Sequence, residues 1–85
     1  MPSTTVTVGS AIGLHARPAA IIAEAVDAAG EEVTLEVEED EEVDAGSALL
    51  IMTLGATKGT EVKVTAETQE TLDKIAALVA SDLDA

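Results

Sequence analysis

The sequence predicts an α+β fold, an antiparallel sheet covered by helices on one face, and three observations predict it. Three stretches, 4–8, 32–38 and 61–66, alternate polar with apolar residues at the period of a half-buried strand. Two others, 16–28 and 71–83, repeat apolar residues at helical spacing. With two shorter elements between them, the order becomes strand, helix, strand, strand, short helix, strand, helix, which suits an antiparallel sheet with its helices on one side. The 85 residues, 1–85, read as one small domain, of a size that buries only about 60% of the surface its unfolded chain exposes.

Each element has a local reason. In 4–8, β-branched Val6 and Val8 point inward while threonines face out. Residues 9–13 form a loop bounded by glycines, and the helix over 16–28 takes its bulk from Ile21, Ile22 and Val26, its alanines allowing close approach to a sheet. Gly30 is a natural stop. In 32–38, Val33, Leu35 and Val37 share the covered face. The acidic run 38–42 carries too much like charge to pack and reads as a hairpin turn leading into a short strand around Val43. Ser47 precedes the apolar run 48–52 in the position of an N-cap on a short helix. Val62 and Val64 point inward from the fourth strand, and Leu72, Ile75, Ala76, Val79 and Leu83 make the buried stripe of the last helix. Glu67, Glu70 and Asp73 lie at or near that helix's positive end.

Composition narrows the function. The chain has no aromatic residue and a net charge of −13, so base stacking is unavailable and phosphate backbones and anionic membranes repel it. Cysteine is absent, which removes disulfides and thiolate metal sites and fits a reducing compartment. The start of the chain lacks a basic region followed by an apolar run, and the longest apolar runs, 19–23 and 48–52, fall far short of the roughly 20 residues that span a bilayer, so a cytoplasmic location is expected. The acidic run invites a calcium reading, but the spaced Asp and Gly pattern of a binding loop is missing; no metal site and no cofactor is read here. Seventeen acidic residues against four basic ones repel one another unless salt screens them. The balance suggests adaptation to a high-salt cytoplasm; the plainer alternative is an acidic protein at ordinary ionic strength.

Chemistry concentrates in 13–20, which holds the only histidine and the only arginine, two residues apart, where a glycine-marked turn runs into a helix. A helix start offers unpaired N–H groups and the positive end of the macrodipole, favouring an anion over an imidazolium. His15 there keeps a ring nitrogen lone pair as a nucleophile. Pro18, in the first turn, breaks no helix bond, so the N–H groups of Ala16 and Arg17 are left to point at whatever His15 carries. The Arg17 guanidinium is a planar, permanently charged fork matched to phosphate oxygens. Nucleophile, anion cradle and counter-charge suggest a transient phosphoryl group on His15, against the plainer alternative of a capping or surface histidine.

The run Gly13-Leu14-His15-Ala16-Arg17-Pro18-Ala19-Ala20 resembles the active-site signature of the HPr family, the histidine-containing phosphocarriers of the phosphoenolpyruvate-dependent sugar phosphotransferase system. A second stretch, 46–60, is similar to that family's regulatory-serine segment and the Leu-Gly-x-x-x-Gly turn after it, and the likeness runs over nearly the whole chain. The resemblance implies an open-faced β-sandwich of order β-α-β-β-α-β-α. It also implies a carrier, not an enzyme, in which His15 accepts a phosphoryl group through Nδ1 from phosphorylated enzyme I and passes it to a sugar-specific enzyme IIA domain. Partner contacts carried over by position are Ala16, Arg17, Ala20, Ser47, Leu49, Leu50, Met52 and Thr53, the protein acting as a monomer. Leu49, Leu50 and Met52 cannot all face one core, so part of this helix should form an exposed docking patch while Ile51 packs beneath.

Some members of the family are phosphorylated on the serine matching Ser47 by an HPr kinase; capping alone also accounts for a serine there. Glu24 and Asp27 depart from the family, which is often basic at those positions. Two other readings stay open: a carrier serving a dihydroxyacetone kinase or nitrogen-regulatory branch, and a regulatory binding module acting through Ser47 with His15 silent.

Overall fold

The alternating stretches pair into one four-stranded antiparallel sheet. The computed structural model describes residues 1–11, 13–37 and 41–81. Its elements are β1 (Ser3–Thr7), α1 (Ala16–Ala29), β2 (Thr34–Val37), β3 (Glu41–Asp44), α2 (Ala48–Thr53), β4 (Glu61–Thr65) and α3 (Gln69–Ala80). The strand order is β1-β4-β2-β3, so β4, last in sequence, inserts between β1 and β2. Register places Val6 beside Val62, Leu35 beside both Val64 and Val43, and Val37 beside Val62 on one face. The other face carries the row Thr5, Lys63, Glu36, Glu42. One face is therefore oily and covered and the other polar and open.

The three helices cover the oily face. α3 packs on β1 and β4, α2 on β3, and α1 lies against both α2 and α3. Ile22, Leu35, Ile51, Leu72 and Ile75 are the largest fully buried side chains, with Val33, Val62, Val64 and Val79 between them. An interior without aromatic rings is filled instead by many small, branched groups, and the alanines buried at Ala19, Ala23 and Ala76 keep the helix backbones close.

Several boundaries differ from the sequence reading, each for a local reason. β1 ends at Thr7, and Val8, though outside the strand, is buried because it exchanges hydrogen bonds with the turn before β4. Val6 is only half-buried because β1 is an edge strand. β2 begins at Thr34; Val33 stays buried just ahead of it, its carbonyl accepting the Ala45 N–H at 2.8 Å. Glu41 and Glu42, assigned above to a turn, are strand residues paired with Val37 and Glu36, and the rest of that expected turn, 38–40, lies outside the described residues. α1 runs to Ala29 and stops at Gly30. α3 starts earlier and stops sooner than the periodicity implied. Thr68 caps it, and it ends at Ala80 with Ser81 already extended; Leu83, expected on its stripe, lies outside the described residues.

The start of α3 is held from across the fold. The Glu31 carboxylate, just past the end of α1, accepts from the Thr71 hydroxyl at 2.5 Å, from the Thr68 hydroxyl at 2.9 Å and from the Thr68 N–H at 3.0 Å. In the reverse direction the Glu67 carboxylate accepts from the Glu32 N–H at 2.6 Å. The Thr71 hydroxyl first, and Thr68 after it, hold the Glu31 carboxyl below its ordinary value of 4.5, outweighing the opposite pull of partial burial. The folded chain thus binds fewer protons than the unfolded chain near that pH, so this contribution to stability is present above 4.5 and is lost as the pH falls through the lowered value. Glu31→Gln is expected to melt below the wild type at neutral pH, with the gap closing as the pH is taken below 4.5 in a thermal-melt series. A gap of constant size across that range would contradict the link.

Candidate functional site

His15 is positioned by a short stretch of backbone pinned on two sides. On one side, the Gly9 N–H donates to the Val79 carbonyl at 3.1 Å, and the Ser10 hydroxyl, fully buried, donates to the Ser81 carbonyl at 3.4 Å, both at the C-terminal end of α3. On the other, the Leu14 N–H donates to the Ala56 carbonyl at 2.9 Å, just past α2. Both attachments require glycine. A Cβ on Gly9 would overlap the Ala80 carbonyl, and one on Gly13 would overlap the Ala56 carbonyl and lie 2.9 Å from the Thr57 Cα. Gly13 also sits at φ +79°, where an L side chain is strained. Leu14, buried in the core, completes the anchor.

From there the chain enters α1. His15 is its N-cap, with extended backbone at φ −89° and ψ −162°, and its side chain makes no capping hydrogen bond. The first helical bond runs from the Ala19 N–H to the His15 carbonyl at 2.9 Å. The N–H groups of Ala16 and Arg17 therefore precede any helical partner, and Pro18 between them and Ala19 has no N–H. Pro18 is buried with Ala19, which fixes the first turn against the core; Ala16, Arg17 and Ala20 are exposed and His15 is half-buried. The result is a histidine beside two aligned backbone donors and an arginine, an arrangement able to receive an anion on the imidazole.

α2 supplies the neighbouring surface. Ser47 caps it, its hydroxyl accepting the Leu50 N–H at 3.3 Å, and the Thr53 hydroxyl donates to the Leu50 carbonyl at 2.5 Å. Ile51 is fully buried, whereas Leu49, Leu50 and Met52 are 69%, 40% and 37% exposed, so this helix presents the apolar patch its sequence implied. α1 and α2 run in opposite directions. Leu14 bonds the segment just past α2, and Asp27, near the end of α1, approaches Gly46 just before α2. Met52 and Thr53 thus fall at the His15 end, while Ser47 falls by Asp27, about 16 Å along α1 from its start. The structure leaves Ala16, Arg17, Ala20, Leu49, Leu50, Met52 and Thr53 exposed on the paired α1 and α2, and it separates Ser47 from His15.

Sequence reasoning did not identify the Gly9 approach or the buried Ser10. A glycine and a serine after a strand look like ordinary loop composition, and what makes them matter is α3 passing beside them. Among the described residues, no cluster of three or more His, Cys, Asp and Glu could hold a metal ion, and no helix is long and apolar enough to cross a membrane.

The family described as "PTS HPr component phosphorylation site" matches residues 2–81. The phosphocarrier protein HPr of Streptomyces coelicolor is 38% identical over 87 residues, covering 99% of this chain and 94% of that protein. The phosphocarrier protein NPr of Escherichia coli K12 is 32% identical over 76 residues, covering 89% of this chain and 84% of that protein. The crystal structure of HPr-C-His from Thermoanaerobacter tengcongensis superposes with a TM-score of 0.88 at 30% identity, over 100% of this chain and 98% of that one.

Substituting Gly13 tests the clamp. Gly13→Ala combines a left-handed backbone with overlap against the Ala56 carbonyl, and a loss of about 1–3 kcal/mol in urea unfolding is expected, together with shifted NMR resonances for Leu14, His15 and Ala16. Unchanged stability and unchanged resonances would remove the clamp from the account.

Proposed function

The chain belongs to the PTS HPr family, whose members carry phosphate on a histidine as carriers rather than catalysts, and on that premise we propose that His15 is the atom-bearing residue of the relay. The observation that carries this reading is the helix start. Its N-cap is a histidine, followed by two N–H groups and a guanidinium.

The step is a displacement at phosphorus. A ring nitrogen lone pair of His15 attacks, the new N–P bond forms as the bond to the donor breaks, and the electron pair of that bond returns to the donor. The other ring nitrogen keeps its proton. Charge spread over the three phosphoryl oxygens is met by Arg17 and by the N–H groups of Ala16 and Arg17, so the chain contributes position and electrostatics. Handing the group on reverses the step. A carrier built this way needs no cleft, because each larger protein brings the other half of the site.

In this reading enzyme I is the donor and an enzyme IIA domain of a sugar-uptake system the acceptor, with the carrier a cytoplasmic monomer. Likeness to HPr over 99% of the chain supports the sugar branch; likeness to NPr over 89% favours a nitrogen-regulatory branch as the second reading. Ser47 serves as the cap of α2. A phosphate placed there by an HPr kinase would join a neighbourhood that already holds Asp44, which accepts the Gly46 N–H at 2.8 Å, and Asp27. The excess of 17 acidic over 4 basic residues belongs, in this proposal, to a high-salt cytoplasm.

Two measurements test these points. With enzyme I and labelled phosphoenolpyruvate, acid-labile label is expected on the wild type and none on His15→Ala, while Arg17→Ala should slow labelling about a hundredfold. Acid-stable label that appears only with ATP and a kinase would instead support the Ser47 regulator. In a separate melting series the transition temperature should rise from low to molar KCl; a flat response contradicts the salt proposal.

A further inference from the structure

The chain has four basic residues, Arg17, Lys58, Lys63 and Lys74, against seventeen acidic ones. Two of them have acidic neighbours that account for them. Lys63 stands opposite Glu36 in the register of β2 and β4, on the open face of the sheet. Lys74 follows Glu70 by four residues on α3, the spacing of a stabilising helix pair, and lines a cleft with Glu70 and Glu31. Arg17 belongs to the helix start that carries His15. Lys58 is exposed in the turn between α2 and β4, and the acidic residue nearest to it in sequence, Glu61, belongs to β4, opposite Thr7.

That turn is a firm mount. The Thr60 N–H donates to the Thr57 carbonyl at 3.0 Å and Gly59 takes φ +89°, so Lys58 and Gly59 are the central pair of a tight turn whose left-handed position is filled by glycine. The Thr57 N–H closes it from inside, donating to the Thr60 hydroxyl at 3.1 Å. The turn is also fastened to the chain on both sides of the loop that leads to His15. Ahead of the loop, the Val8 N–H donates to the Thr60 carbonyl and the Gly59 N–H to the Val8 carbonyl, both at 2.9 Å. Beyond it, the Leu14 N–H donates to the Ala56 carbonyl, and a Cβ on Gly13 would lie 2.9 Å from the Thr57 Cα. The Lys58 Cα therefore lies within about 8 Å of the Gly13 Cα, by the spacing of consecutive Cα atoms, and its four-carbon stem can carry the ammonium on toward His15.

Resting on the reading of His15 as a phosphoryl carrier, we propose that Lys58 is a second cation of the His15 site. Arg17 from the helix and Lys58 from the turn together offset the negative charge of the phosphoryl group as it arrives and leaves. Lys58 keeps its protons and forms no bond to phosphorus; its contribution is charge, held close by a turn bonded on both sides. In a chain of net charge −13 a dianionic group is repelled by most of the surface, so the cations that counter this have to be local. Half of the chain's basic residues stand at the one place where the dianion has to dwell.

The test measures the rate of acid-labile labelling on His15 for the wild type, K58Q, K58E, K58R and K63Q. It is run at the lowest KCl concentration where circular dichroism is native, below every variant's melting transition. The donors are phosphoramidate, which needs no partner protein, and phosphorylated enzyme I. With phosphoramidate the His15 nitrogen bonds to phosphorus as the reagent's P–N bond breaks, and ammonia leaves with the electron pair of that bond. K58Q is expected to be about threefold to tenfold slower than the wild type with both donors, K58E slower still, and K58R close to the wild type. K63Q, which removes the same charge from the open face of the sheet, should match the wild type within about twofold. Equal rates for K58Q and K63Q overturn the inference, as does a K58R as slow as K58Q, and both leave the carrier reading standing. A wild type labelled by neither donor overturns the carrier reading and this inference with it.

Discussion

The site depends on two close backbone approaches. Chain residues 8–11 and 13–15 leave β1 and reach α1 by passing between the end of α3 and the segment after α2, and at each passage a glycine stands where a side chain would overlap a carbonyl. Hydrogen bonds from Gly9 and Leu14 close both contacts. A side chain carried on a loop keeps one position only if the loop has one conformation. Here the conformation is imposed by the sheet and two helices, with Leu14 and Pro18 buried on either side of His15. The His15 side chain stays half-exposed on a backbone anchored on both sides.

The same constraint explains why so small a core suffices. Without aromatic residues the interior is built from Val, Leu, Ile and Ala, and the structure gains its coherence by tying elements end to end. Glu31 and Glu67 fasten the α1–β2 connection to the start of α3, and the far end of α3 receives the loop that bears His15. α3 is in this sense a strut between a carboxylate cap and the turn that bears His15. The open face of the sheet, with its row of Thr5, Lys63, Glu36 and Glu42, is polar, so the apolar surface the fold leaves exposed is concentrated on α2, next to the histidine.

Much of this was legible in the sequence because period-two and helical patterns are local signals. Val62 and Val64, Leu72 and Ile75, and Ile51 beneath an exposed Leu49 lie where their spacing put them. The histidine, arginine and proline of the helix start could be read the same way, since a helix N-terminus has chemistry of its own. What the pattern could not supply was anything set by a neighbour distant in sequence. The burial of Ser10, the approach of Gly9 to α3 and the grip of Glu31 on Thr68 and Thr71 each join residues tens of positions apart. The length of α3 was misread for a related reason: Thr68 and Ser81 end the helix through capping geometry, while the apolar repeat continues past it.

Ser47 and His15 lie toward opposite ends of the antiparallel pair formed by α1 and α2. At the His15 end, the proposal is that the Ala16 and Arg17 amides hold a phosphoryl group on His15. The direct measurement is a pair of amide proton NMR spectra of the 15N-labelled chain, before and after phosphorylation at His15. The largest downfield shifts are expected at Ala16 and Arg17, as for N–H groups that begin to donate to a dianion. Largest shifts elsewhere, with these two amides unmoved, would contradict it.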